Sequence, residues 1–301
     1  MVRVHWALPL AILAAAILGT LPSSSPRLQA QDGELIYRAT LPMIASDSAP
    51  GAITSFAAYF YLDSLDPGEG GPYLVPVHRE VPHTLAVATA AVNALIAGPT
   101  TDEAASTPAI STNVPADTEL LGITITGGIA DVNLSEEFEA GGGSATMFAR
   151  LAQLTYTVTQ FPTVDAVRLL IEGVVVTEFS SEGILIDGPL TREDFDDQLP
   201  AIFVDSPHYF SPAGNPLRIV GNANVFEATF IATVTDNDGL ILAEVPVTAT
   251  CGTGCRGTFD VTIPYDVDVA QLGALIVFEA SAQDGEPVNV REYPVLLTPA
   301  P

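Results

Sequence analysis

Several groups of side chains in this sequence are of types and spacings that could do chemistry. His78 and His83 lie near Asp63 and Glu80 and could share a metal ion. Their spacing spans Pro82, however, and no third nitrogen ligand is near, so surface or internally satisfied histidines are expected instead. Gly141-Gly142-Gly143-Ser144 opens a helical pattern and could offer backbone N–H groups to a phosphate. With no lysine after it and no dinucleotide-binding βαβ pattern around it, the run reads as a loose hinge into the helix. Glu136, Glu137 and Glu139 could suggest a glycosidase acid pair, yet neighbouring acids after a strand read as a solvated loop. Asp236-Asn237-Asp238-Gly239 has the start of a calcium loop but lacks the distal ligating glutamate, and a hairpin turn accounts for it.

Cations are scarce, so three are singled out: Arg79, Arg150 and Arg168 are candidate contacts for a ligand or partner, and equally candidate partners for local carboxylates. No G-x-S-x-G and no H-E-x-x-H occurs. The expectation is a chain with no catalytic residues, no cofactor and no metal site.

Composition narrows the choice further. The 301 residues carry a formal charge of -26, although only 15% of them are charged. All ten basic residues are arginine. The lack of lysine removes a Walker A lysine, a Schiff-base lysine and a Ser-Lys dyad. A surface this negative repels a phosphate backbone, so nucleic acid is excluded as a partner. Two cysteines cannot form a four-thiolate zinc or iron–sulfur site.

The elements that would position these residues begin with a leader. Arg3 precedes the apolar run Ala7 to Leu21, which is short for a bilayer crossing and right for a signal-peptide core. Residues 1–30 are read as a signal peptide with cleavage after Ala30, and 31–54 as a flexible tether. Contact with a membrane would come only through an uncleaved leader. The chain is therefore expected outside the cytoplasm, in the cell envelope or secreted.

Across 55–188 the pattern alternates between periods. Phe56 to Leu62 is strand-like; Leu85, Ala88, Val92, Leu95 and Ile96 recur at helical spacing before Gly98-Pro99. Leu121 to Thr126 and Ala130 to Leu134 alternate on either side of Gly127-Gly128, the mark of a hairpin. Ser144 can cap a second helix with Met147, Leu151, Leu154 and Val158 on one stripe, and Val167, Leu169 and Ile171 begin another strand. The order β-α-β-β-α-β predicts an α+β domain with both helices on one face of a small sheet. Its motifs, YFYLD at 59–63, VPVHREVPHT at 75–84, ALIAGPT at 94–100, GGGS at 141–144 and QFP at 160–162, resemble the GerMN domain of sporulation and spore germination proteins. That resemblance implies an extracytoplasmic envelope protein whose fold is similar to ring-building domains of secretion-type assemblies, and it implies no catalytic residues.

The segment Pro189 to Gln198 is acidic and without a period of its own, so it is expected to be a linker that few core contacts cross. Across 199–301, seven short strand patterns within about a hundred residues, with no helical period, predict an all-β immunoglobulin-like sandwich. The stretches IFVDSP, PLRIVGNANVFEATF, RGTFDVTIP and VFEASAQDG resemble Gmad2, an immunoglobulin-like domain found beside GerMN. Cys251 and Cys255 are four apart between strands, too close for an inter-sheet bridge, and are read as a small loop disulfide and not a redox pair.

Together these readings favour a non-enzymatic binding or assembly module that engages an envelope protein or a peptidoglycan component, with weak self-association. The alternatives are a carbohydrate-binding module, where stacking would fall to Tyr or Phe because the sole tryptophan is Trp6, or a wall hydrolase.

Overall fold

The aromatic, uncharged run around FAAYFYL extends as β1 (Ile53–Leu62), which pairs antiparallel with β2 (Tyr73–Pro82) from Ile53 opposite Pro82 to Leu62 opposite Tyr73. These strands come from a computed structural model that describes residues 51–64 and 70–301. The expected signal peptide 1–30, most of the tether 31–54 and the heart of the DPGEGGP loop lie outside the described residues.

Two helices follow, α1 (Val87–Ala97) and the single turn α2 (Thr101–Ala104), and then β3 (Ile110–Ser111), which pairs with the end of β1. The predicted hairpin is β4 (Leu120–Thr126) and β5 (Ile129–Leu134), turned through Gly127 and Gly128, both at positive φ. A 3-10 turn at Glu136–Glu139 leads to α3 (Ser144–Val158) and β6 (Ala166–Ile171), which runs parallel to β5. Short pieces complete the domain: β7 (Val174–Val175), β8 (Glu178–Phe179) and β9 (Ile184–Leu185).

The domain is α+β, as its pattern implies, but it contains a strand that the periodicity did not disclose. β2 is interrupted by Pro76 and ends on Pro82, and it sits at the edge of its sheet, where a missing N–H costs least. The result is two main sheets, β2-β1-β3 and β4-β5-β6-β7, and the small pair β8-β9, where one sheet was expected. Helices α1 and α3 pack on each other and touch strands of both sheets. That is why α3 buries every residue from Ala149 to Val158 and not only one stripe.

The buried polar residues of α3 have a specific use. Gln153 donates from Nε2 to the Tyr59 carbonyl at 2.9 Å, Thr157 Oγ1 accepts from Tyr59 N at 3.1 Å, and just past the helix Gln160 bonds both N and O of Ala57. Side chains from the helix thus satisfy backbone groups that β1 would otherwise leave bare in the core.

The second domain has the seven expected strands: β10 (Ile202–Ser206), β11 (Leu217–Ala223), β12 (Thr229–Asp236), β13 (Ile241–Thr248), β14 (Gly257–Ile263), β15 (Gln271–Ala280) and β16 (Pro287–Leu297). They form two antiparallel sheets, β10-β11-β14 and β13-β12-β15-β16. Between them Phe230 and Phe259 meet edge to face with centroids 4.9 Å apart. Gly221 on β11 is required by close approach, since a Cβ there would fall 2.0 Å from the Phe203 carbonyl oxygen.

The joint between the domains differs most from expectation. Arg192–Gln198 coils into 3-10 turns kinked at Phe195, and Phe195 and Leu199 are both buried. Buried residues of both domains form one continuous core, and the described residues lie in one compact unit. The expectation that few core contacts cross this segment is therefore corrected: its acidity sits on the outer side, and its apolar residues face inward.

Candidate functional site

The two domains meet along β2, the start of β10 and the loop that follows it. The edge of β2 left open by β1 is taken up by the sandwich: His78 N donates to the Tyr209 carbonyl at 3.0 Å and Tyr209 N donates to the Pro76 carbonyl at 2.8 Å. Behind this bridge lies an ion pair with aromatic walls. Arg192 donates from Nη1 to Asp205 Oδ2 at 2.8 Å and from Nη2 to Tyr59 Oη at 3.2 Å, and Tyr59 Oη donates to Asp205 Oδ1. The guanidinium also lies over the Tyr156 ring, 4.6 Å from its centroid, and within 5.5 Å of that of Tyr59. Burial works against the Arg192 charge, but Tyr59 and Asp205 outweigh it and hold the group above the usual arginine range. Tyr59 is pushed well above the usual phenol range by burial first and by the Asp205 charge second.

On the open side of this seam lies a groove of about 430 Å³. First-domain residues Ser55, His78 and Glu80 line one wall, and Ser206, His208, Ser211 and Arg218 belong to the other. His78 Nε2 stands 3.2 Å from Glu80 Oε1, and the His78 and His208 ring centroids are 6.3 Å apart. With Nε2–H donated to Glu80, His78 Nδ1 is left as a buried acceptor without a partner. Burial pushes His208 down to about 4, with His78 and Arg192 acting in the same direction and Asp205 opposing. Near neutral pH the His208 imidazole in this groove is therefore uncharged, with Glu80 and Arg218 on the walls around it.

The arginines singled out from the sequence lie elsewhere. Arg79 forms a bidentate pair with Glu103 at 2.8 and 2.7 Å and lies over Phe60. The same Glu103 closes the capping box of α2 by accepting from Thr100 N. Arg150 is buried, and burial lowers its pKa. Its guanidinium donates to the carbonyls of Phe138, Ala140, Gly141 and Asn113. Arg168 pairs with Asp131 at 3.2 Å across the parallel β5–β6 register. Each is committed to its own domain.

The glycine run is likewise a built feature. Gly141 and Gly142 have positive φ, Arg150 ties down their surroundings, and Ser144 Oγ donates to Glu182 at 2.7 Å, so a carboxylate of the chain itself sits at the start of α3. The helix is a crossover between parallel strands after all, and Gly143, not Ser144, is its cap. His83 faces Thr54, away from the His78–Glu80 pair, and among the described residues no group of three or more His, Cys, Asp or Glu is placed to hold a metal ion. Asp236 Oδ1 accepts from the N–H groups of Asp238 and Leu240, closing the turn at Asp236–Gly239. Glu139 accepts from Ser180 N. Cys251 and Cys255 are joined, with Cα atoms 5.8 Å apart.

Arg192, Asp205 and His208 were not singled out from the sequence. The one signal was rarity: Arg192 is a lone cation among the acids of TREDFDD in a chain with ten cations.

The comparisons with known proteins bear on both domains. A family model described as sporulation and spore germination, Germane, matches residues 57–177. A second, Gmad2, the immunoglobulin-like domain of bacterial spore germination, matches 201–286. Among solved structures, the first GerMN domain of the sporulation protein GerM from Bacillus subtilis is 24% identical, covering 46% of this chain and 98% of that one, with a TM-score of 0.38. The tandem GerMN domains of the same protein are 18% identical over 70% of this chain and 62% of that one, with a TM-score of 0.37. No curated protein matches the chain significantly. The two family matches fall on the two domains seen in the fold: residues 57–177 of the first match the GerMN-like Germane model, and residues 201–286 of the second match the Gmad2 model.

Proposed function

We propose that this chain is an exported, non-enzymatic module of the cell envelope, and that the interdomain groove is where it binds a wall or protein component. The observation that carries this reading is the seam itself. Two domains whose families both belong to sporulation and germination are held in one arrangement by Arg192, Asp205 and Tyr59, so the groove beside them has fixed walls. Its lining of hydroxyls, imidazoles, the Glu80 carboxylate and the Arg218 guanidinium, which is paired with Asp260, suits recognition of amide- and hydroxyl-rich chains, such as the stem peptides and sugars of peptidoglycan. No helix among the described residues is long and apolar enough to cross a membrane.

Calorimetric titration of soluble peptidoglycan fragments against the full chain, its Glu80→Gln variant and its His208→Gln variant tests the proposal. Saturable binding that both substitutions weaken, with the fragments recovered unchanged, is the expected result. Cleavage of the fragments would replace this reading with a hydrolase. Binding indifferent to both substitutions would move the site away from the groove.

A further inference from the structure

We propose that β4 is a self-pairing edge, through which two copies of this chain join their β4-β5-β6-β7 sheets into one across a two-fold axis. This surface belongs to the first domain alone and does not depend on the groove between the domains.

The starting point is a contrast among edges. An open strand edge offers unpaired N–H and C=O groups, and proteins usually guard it with charge or proline. Every other sheet-end strand longer than two residues here carries charge or proline, and the open edge of β2 is also taken up by the sandwich. β2 carries Arg79, Glu80 and two prolines, β10 carries Asp205, β14 carries Asp260, β13 carries Glu244 and Pro246, and β16 carries Arg291, Glu292 and Pro294. β4 reads LLGITIT and has neither charge nor proline. It ends its sheet, and among the described residues no strand or bridge pairs with its outer side. In a chain with 36 acids, the stretch between Glu119 and Asp131 contains none.

The side chains on this edge match the reading. Leu121 is 44% exposed and Ile125 40% exposed, with Ile123 half-buried between them. The register with β5 shifts between Leu120 and Gly122, which leaves Leu121 out of the pairing with β5. Thr124, Ile125 and Thr126 are of types that favour strands.

A second copy is favoured over an unrelated strand because the edge is complementary to itself. Antiparallel pairing centred on Ile123 sets Leu121 of each copy against Ile125 of the other, giving two equivalent apolar pairs. The same register sets Glu119 opposite Gly127, so the nearest acids do not face each other. The rest of a chain of net charge -26 repels its copy, so the association should be weak at low salt and tighten as salt screens the repulsion.

The test is sedimentation equilibrium of the full chain over a range of concentration and of sodium chloride, with circular dichroism to show that each variant is folded. Wild type should dimerise reversibly and more tightly at high salt. Leu121→Lys and Ile125→Glu, each alone, should weaken dimerisation by about ten-fold. A chain carrying both should recover it, because the register places the new charges opposite one another. An equimolar mixture of the two single variants should also recover part of it, which keeps the test available if the double variant does not fold. A chain that stays monomeric at every concentration and salt, or single variants that dimerise like wild type, would overturn the proposal. Failure of both the double variant and the mixture to recover what the single variants lose would overturn it equally.

Discussion

Arg192 and Asp205 form their 2.8 Å ion pair from opposite sides of a boundary, one in the segment that leaves the first domain and the other on the first strand of the sandwich. Both side chains are under a third exposed, and the pair is wrapped by Tyr59 and Tyr156. Removing one partner strands a partly buried charge, which costs far more than an exposed pair is worth. Arg192→Met should lower stability by about 2–3 kcal/mol after allowance for that partial exposure. Arg192→Lys should recover little of it, because a point charge cannot bridge Asp205, Tyr59 and Thr159 together. Urea melts of the full chain measure both, and wild type should unfold in a single transition because one core spans the domains.

Acid should loosen the seam through His208. Its pKa is about 4 in the folded chain, below that of an ordinary histidine, so the unfolded chain binds the extra proton first on acidification. A depressed histidine pKa means that stability rises with pH across this window: it is complete above about pH 6.5 and is lost progressively down to about pH 4. The groups facing His208 are His78, Asp205 and Arg192. The loss should approach about 3 kcal/mol in all. His208→Gln should flatten this part of the stability–pH curve, as thermal melts between pH 4 and 7 would show.

The alkaline side has the opposite sign. Burial first, and neighbouring acids after it, raise the phenols of Tyr59 and Tyr61 above their ordinary value, and burial raises Tyr156 despite the opposing Arg192 charge. The folded chain keeps protons that the unfolded chain releases, so stability should fall as pH rises above about 10. Ultraviolet titration should show these three phenols ionising only together with unfolding, whereas an exposed tyrosine would ionise freely near its ordinary pKa.

How far the sequence disclosed this arrangement depended on whether the information was local. β4 and β5 were legible because apolar residues alternate on each side of a glycine turn, and α3 because its stripe and its preceding loop agree. β2 was not legible, since Pro76 and Pro82 contradict a central strand and only its place at a sheet edge makes them harmless. The Arg192–Asp205–Tyr59 cluster could not be read from spacing at all. Tyr59 and Arg192 are 133 residues apart, and no pattern in either neighbourhood points to the other. Arg79, Arg150 and Arg168 stood out for their rarity, and each has partners within the first domain.

Arg150 is the clearest case of such pairing. Its guanidinium serves three carbonyls of the segment before α3 and that of Asn113 between β3 and β4, and a truncated side chain would leave several of them buried without a donor. Arg150→Ala should cost about 3 kcal/mol, and Arg150→Lys should be almost as harmful because one ammonium cannot reach the same set. Chemical denaturation of both variants checks the ranking.

The disulfide should matter less. Closing a loop as short as Cys251 to Cys255 restricts the unfolded chain by about 2 kcal/mol at most. Cys251→Ser should therefore lower the melting midpoint modestly and leave the sandwich folded. Free thiols found by mass spectrometry in protein taken from an oxidising compartment would contradict this.

The bonds from Gln153, Thr157 and Gln160 to the backbone of β1 also order events in time. β1 is made early, but the side chains that satisfy its Ala57 and Tyr59 groups arrive about a hundred residues later. Until α3 docks, the emerging chain carries an aromatic strand with unsatisfied backbone, the kind of segment on which aggregation starts. A polypeptide threaded through an export channel from its N-terminus would expose that strand on the far side before its protecting helix had crossed. For any chain threaded in that way, the yield of this fold would depend on how quickly residues 144–160 follow residues 53–62.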